Sequence, residues 1–194
     1  FEKALAINPD YAEALNNLGI TFHRLGQLDA AVECYEKALA VNSDYASAHN
    51  NLGNAFKELG QLDDSVKCYK EALAVNPDYS NAHNNLGIAL KELGQLDAAV
   101  KSYEKALTLK PDYAEAHNNL GNAFKELGQL DDSVKCYKEA LAVNPDYAYA
   151  HYNLGNALKE LGQLDEATKS YEKAVALKPD FVKADNLGNA EISK

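Results

Sequence analysis

The stretch Ala48–Tyr79, AHNNLGNAFKELGQLDDSVKCYKEALAVNPDY, reads as a helix, a glycine, a second helix and a proline. Ala48, Leu52, Ala55, Phe56 and Leu59 recur at steps of three or four, the apolar stripe of an amphipathic helix. Gly60 then offers the left-handed conformation that closes a helix. Leu62, Val66, Tyr69, Ala72 and Leu73 draw a second stripe, and Asp63 stands at its start, where it caps the helix or favours its dipole. Pro77 cannot continue that helix and biases Asn76 toward extended angles, and Asp78 is placed to cap the next helix.

The stretch repeats. Asp10, Asp44, Asp78, Asp112, Asp146 and Asp180 are spaced by 34, and so are Gly19, Gly53, Gly87, Gly121 and Gly155, and Gly26, Gly60, Gly94, Gly128 and Gly162. A fixed period of this length is the mark of a repeat architecture. Five full units result, 12–45, 46–79, 80–113, 114–147 and 148–181, with half units at 1–11 and 182–194. Residues 48–79 and 116–147 are identical, which points to recent duplication or design. Near Asp10 and Asp112 the third following residue is Glu13 or Glu115, the spacing of a capping box.

Two features run against helix propensity. Gly53 lies mid-helix, at a cost of about 1 kcal/mol relative to Ala, and close approach of the two helices of a unit is the physical reason to keep it. Adjacent asparagines, Asn50 and Asn51, recur at Asn16 and Asn17, Asn84 and Asn85, and Asn118 and Asn119, each costing roughly 0.5 kcal/mol.

Composition narrows the function. The 194 residues are 46% hydrophobic and 25% charged, with no Met or Trp, and a chain opening on Phe1 reads as a fragment or processed form. A net charge of −10 argues against nucleic acid and anionic membrane surfaces, since phosphate binding needs Lys and Arg. No apolar run approaches the roughly 20 residues that span a bilayer. Cys34, Cys68 and Cys136 occupy one repeated position, too far apart to bridge, so they read as packing residues in a reduced, cytoplasmic setting. His49, His83, His117 and His151 are likewise one position in successive units, which suits packing rather than a metal. Asp63 and Asp64, and Asp131 and Asp132, are explained by a helix start. No catalytic constellation, cofactor loop or metal set stands out.

The pattern His49, Leu52, Gly53, Phe56, Ser65, Tyr69, Ala72, Pro77 resembles the tetratricopeptide repeat, and the likeness covers nearly the whole chain. Departures are Leu15 or His for the usual Trp, Leu90 and Leu158 for the first aromatic, and Ser43 for one Pro. The resemblance implies an all-α solenoid of antiparallel helix pairs, a right-handed superhelix whose concave groove is lined by the first helix of each unit.

The apolar stripe leaves Ser47, Asn50, Asn51, Asn54, Lys57 and Glu58 for that groove. Equivalent residues would repeat about every 10 Å, so Asn17, Asn51, Asn85, Asn119 and Asn153 form a line. A carboxamide carries donors and an acceptor, as a peptide unit does, and a row of them suits an extended backbone of almost any sequence. The arrangement is similar to the repeat arm of O-linked N-acetylglucosamine transferases, where an asparagine ladder holds the substrate backbone. The candidate peptide-binding set is that line together with Asn16, Asn50, Asn84, Asn118, Asn54, Asn122, Asn156, Lys57, Lys91, Lys125 and Lys159. The competing reading of the asparagines is that they bridge neighbouring helices or face water. Arg24 and the four lysines oppose Glu13, Glu58, Glu92, Glu115, Glu126 and Glu160, a nearly neutral groove. The Lys and Arg clamp of chaperone-binding members is absent, its positions holding Asn or Tyr.

The expected function is therefore protein interaction, with an extended or disordered peptide segment as partner and no enzymatic activity. Two alternatives stand beside it. Apolar Phe1, Leu5 and Ile7 in an uncapped half unit suit head-to-tail self-association, and the chain also suits the substrate-selecting arm of a larger glycosyltransferase. At the other end, a one-residue deletion rotates Leu187 and Gly188 by about 100°, so 182–194 reads as a divergent cap and the ladder stops before Asn186.

Overall fold

The computed structural model describes residues 9–179. Residues 1–8 of the leading half unit and the whole of 182–194, with the expected cap and its rotated leucine, lie outside the described residues. So does the apolar end surface on which the self-association reading depends.

Ten helices and no strand occur among the described residues. They fall into two compact units that divide at Leu109 and Lys110, in a turn between repeats. The first unit contains α1 (Pro9–Arg24), α2 (Leu28–Val41), α3 (Ala46–Glu58), α4 (Leu62–Val75), α5 (Ser80–Glu92) and α6 (Leu96–Leu109). The second contains α7 (Ala114–Glu126), α8 (Leu130–Val143), α9 (Ala148–Glu160) and α10 (Leu164–Leu177). In each unit a helix packs chiefly on the partner in its own pair, and the second helix of a pair packs on the first helix of the next. This is the all-α repeat solenoid expected from the 34-residue period.

Turns follow the glycines. Gly60 has φ +76°, and the bonds Gly60 N–H to Lys57 O (3.0 Å) and Gln61 N–H to Phe56 O (2.8 Å) close α3 as a Schellman motif. Asn76 ends α4 in the extended region at φ −131°, as Pro77 requires. Its side-chain oxygen then accepts the Asp78 N–H at 3.2 Å, an Asx turn.

The capping expectations fail in detail. Tyr79 and Gln61, not Asp78 and Asp63, occupy the N-cap positions of α5 and α4, and neither makes a side-chain cap bond. Asp63 lies inside the first turn, where its charge meets the helix dipole without a cap bond. The α7 N-cap is Tyr113, again without a side-chain bond, so no box forms between Asp112 and Glu115. The turn is one residue longer than the capping spacing assumed.

The core is built around tyrosines. Tyr35, Tyr69, Tyr103 and Tyr137 are fully buried on the second helices. Each ring lies over the mid-helix glycine of its own pair. A Cβ on Gly53 would fall 2.7 Å from Tyr69 Cε1, and one on Gly121 would fall 2.6 Å from Tyr137 Cε1. The helical cost of these glycines thus secures a ring-to-backbone contact.

Burial pushes the Tyr35 and Tyr137 phenols up to about 12 and the Cys68 thiol up to about 11. Groups with raised folded-state pKa values hold their protons more tightly when folded. Their stabilisation is complete below the unfolded values near 9 and 10 and is lost as pH rises through 11 and 12. Urea midpoints should therefore be flat from pH 7 to 8.5 and fall steadily between pH 9 and 12. A midpoint that rose in that window would contradict the burial of these groups.

Candidate functional site

One residue of helix advance is about 100°, so adjacent asparagines cannot share a role. The sequence placed both members of each pair on the groove. The structure separates them. Asn16, Asn50, Asn84 and Asn118 are buried, at 4%, 5%, 4% and 4% exposure, because this position turns toward the next repeat. As direct peptide contacts these four are therefore corrected to interior residues. Asn51, Asn85, Asn119 and Asn153 are partly exposed, and Asn17 is exposed.

The two sets are joined. Asn51 Nδ2 donates to Asn16 Oδ1 at 3.0 Å, and Asn85 Nδ2 to Asn50 Oδ1 at 3.1 Å. In the second unit Asn153 Nδ2 donates to Asn118 Oδ1 at 3.0 Å. The bridging between neighbouring helices that the sequence left as the competing reading is thus present. It engages only the Nδ2 side of the outer carboxamide. Oδ1 and a second N–H remain on Asn51 and Asn153, whereas Asn85, which has a second donor bond, keeps Oδ1.

Asn54, Asn122 and Asn156 have a different task. Each accepts a phenol from the second helix of its own pair, Tyr69 OH to Asn54 Oδ1 at 2.7 Å, Tyr137 OH to Asn122 Oδ1 at 2.7 Å and Tyr171 OH to Asn156 Oδ1 at 2.8 Å. Asn54 Oδ1 also accepts Asn85 Nδ2 at 3.2 Å. Buried tyrosine, inner asparagine and outer asparagine are one network, so the core holds the exposed carboxamides in place.

The charged positions also reach across repeats. Lys125 Nζ lies 2.9 Å from Glu160 Oε1, and His23, which holds the equivalent position in the first repeat, has Nε2 3.3 Å from Glu58 Oε1. Lys57 and Lys91 are partly buried and Lys159 is exposed. The series of histidines does not pack simply as apolar filler. Nε2 of His49, His83, His117 and His151 meets the carbonyl of the residue six before it, Ser43, Pro77, Pro111 and Pro145, at 2.9, 2.9, 2.9 and 2.8 Å. Each clasps the turn before its helix, and the constant six-residue spacing to the Pro or Ser was the available signal. Among the described residues no group of His, Cys, Asp or Glu is placed to hold a metal ion.

The family pattern described as TPR repeat matches residues 21–60, 53–94, 89–128 and 121–162, and patterns described as tetratricopeptide repeat match 1–33 and 148–181. The chain belongs to the tetratricopeptide-repeat family. Membership places it among protein-interaction modules. No curated protein sequence matches the chain. Several solved tetratricopeptide-type structures share the fold. MamA from Desulfovibrio magneticus RS-1 is 20% identical with a TM-score of 0.78, over 88% of this chain and 97% of that one. YrrB, described as a TPR protein with an unusual peptide-binding site, is 24% identical with a TM-score of 0.73, over 96% of both chains. PilF of Pseudomonas aeruginosa is 21% identical with a TM-score of 0.81, over 86% of this chain and 76% of that one.

Within the tetratricopeptide framework the three cysteines are buried and not joined in a disulfide. No described helix is long and apolar enough to cross a membrane.

Proposed function

We propose that this tetratricopeptide array binds an extended peptide or disordered protein segment along the first helices of its pairs, chiefly through Asn17, Asn51 and Asn85 in the first unit and through Asn119 and Asn153 in the second. One observation carries the reading. The outer carboxamides of Asn51 and Asn153 each commit one N–H to a buried asparagine of the preceding repeat and keep an acceptor and a donor, and Asn85, with both donor bonds made, keeps its acceptor. That pair of groups matches the carbonyl and N–H of a peptide unit, so affinity comes from backbone and little from side chains. Peptide binding by a family relative such as YrrB is consistent with this use of the fold. In a longer protein the same surface would select segments for whatever domain accompanies it.

Fluorescence anisotropy with capped, neutral 12-residue peptides tests the reading. Scrambled versions of one composition should bind within about threefold of each other. A copy N-methylated at alternate residues, which removes backbone donors, should bind about 10-fold more weakly, the loss of one to two net hydrogen bonds. Strong dependence on side-chain order with indifference to N-methylation would refute a backbone-reading surface.

A further inference from the structure

The inner row of asparagines is not uniform. At the seam between α1 and α3 Ile20 stands where α3 carries Asn54, as Ile88 does on α5, and Arg24 lies one turn further on. At the next seam Asn54 Oδ1 takes both the Tyr69 phenol and Asn85 Nδ2. Ile20 can take neither the Tyr35 phenol nor a second bond from Asn51. A pocket of about 110 Å³ results, lined by Ile20, His23, Arg24, Tyr35, Asn51 and Asn54. Tyr35 is 1% exposed, and its hydroxyl has no hydrogen-bond partner among the described residues, although it lines this pocket. That hydroxyl opens onto the pocket and is not sealed in the interior, so it is available there as a donor.

The remaining groups are mostly donors. Asn54 has its oxygen filled twice, so its Nδ2 hydrogens are what it can offer. Arg24 is exposed and makes no ion pair among the described residues, while the Glu58 carboxylate lies 3.3 Å from His23 Nε2 and its charge also bears on the Tyr35 phenol. Every other repeat has Glu at the Arg24 position, namely Glu58, Glu92, Glu126 and Glu160. Burial pushes the Tyr35 phenol up to about 12, which keeps it a donor at neutral pH. The volume equals that of roughly three or four waters, at ~30 Å³ each, which suits a short side chain and not a ring.

From this donor excess and the unpaired guanidinium we infer that the pocket is a side-chain subsite for an aspartate or glutamate of the bound segment. The subsite rests on the peptide-binding reading above and deepens it. A rail that reads only backbone leaves the register of its ligand undefined. One acid-accepting pocket at the first seam fixes that register and gives the surface a sequence preference. The donors differ in position from the Lys and Arg clamp that the sequence excludes, and they receive a side chain, not a chain terminus.

The test uses paired capped 12-residue peptides, neutral but for one central residue that is Glu in one and Gln in the other. The wild-type protein should prefer the Glu peptide by about 10-fold, the effect of one charge-assisted pair of bonds. Tyr35→Phe, which removes a single unpartnered oxygen, and Arg24→Gln should each bring the ratio close to one. A wild-type ratio near one overturns the subsite, while binding of the Gln peptide reports on the ladder separately. If neither peptide binds, the ladder reading fails and a smaller probe still decides the pocket. N-acetyl-glutamate N-methylamide should shift the side-chain amide NMR signals of Asn51 and Asn54 and the Arg24 Nε–H signal, and the glutamine analogue should not. Equal or absent shifts with both probes would overturn the proposal.

Discussion

Gly53→Ala is expected to destabilise the protein by about 1 kcal/mol net, although alanine is the better helix former. Propensity alone predicts a gain of about 1 kcal/mol at this mid-helix position. The new methyl would instead stand 2.7 Å from Tyr69 Cε1 and 2.8 Å from Cδ1. The ring has nowhere to retreat, because Tyr69 is 0% exposed and its hydroxyl is tied to Asn54 at 2.7 Å. Overpacking of a closed core costs about 1–3 kcal/mol and must here exceed the propensity gain. Urea unfolding followed by circular dichroism measures the sign directly. The duplicated stretch supplies a replicate, since Gly121 faces Tyr137 with 2.6 Å to Cε1. Gly121→Ala should therefore behave as Gly53→Ala does. Replacing Tyr69 with leucine in the Gly53→Ala background should recover part of the loss, a coupling of about 1–2 kcal/mol. A raised midpoint for either glycine variant would mean that the ring does not occupy the space above the glycine.

The legibility of this fold has a clear physical boundary. The period, the helix pairs, the left-handed Gly60 and the extended Asn76 all depend on backbone preferences of a few adjacent residues, which a single sequence displays. Repetition multiplies that signal. The identical stretches 48–79 and 116–147 produce the same phenol bond, 2.7 Å in both, and nearly the same glycine φ, +76° and +75°. The mid-helix glycine was readable as a close approach, but not its partner, because Tyr69 is brought there by the second helix. The asparagines failed for a related reason. Sharing a polar face cannot say that Asn50 is covered by the next repeat while Asn51, one position on, is not. Only stacking decides this, and stacking is the non-local step. The N-cap errors are more local: Asp78 has the right chemistry one residue too early, and the Asx turn from Asn76 uses it in another way. The acid-accepting pocket was signalled by Arg24, which departs from the Glu of the other repeats, and by Ile20, a change shared with Ile88, yet neither has meaning until the seam is assembled.

Replacing Asn51, Asn85 and Asn119 together with alanine is expected to weaken binding of a neutral capped peptide by about 100-fold, with helical content unchanged. Each outer carboxamide is taken to contribute about 1 kcal/mol net to a bound backbone, and three amount to roughly two powers of ten. The triple variant alone would not separate a contact from a support, because Asn51 and Asn85 also satisfy Asn16 and Asn50. Stability and affinity must therefore be measured on the same samples. Stripping a donor from a buried oxygen costs about 1–3 kcal/mol of folding stability, less if water reaches the gap that alanine leaves. The informative comparison is Asn50→Ala. It removes the buried anchor while leaving the Asn85 carboxamide present, with its second bond to Asn54 intact. As a positioning residue, Asn50 should cost only about threefold in affinity while lowering stability as much as Asn85→Ala does. If Asn50→Ala and Asn85→Ala reduce affinity equally, the outer asparagines act by holding the helices together. If the triple variant binds as the wild type does, the peptide lies elsewhere and the carboxamide rows are structural ties between repeats.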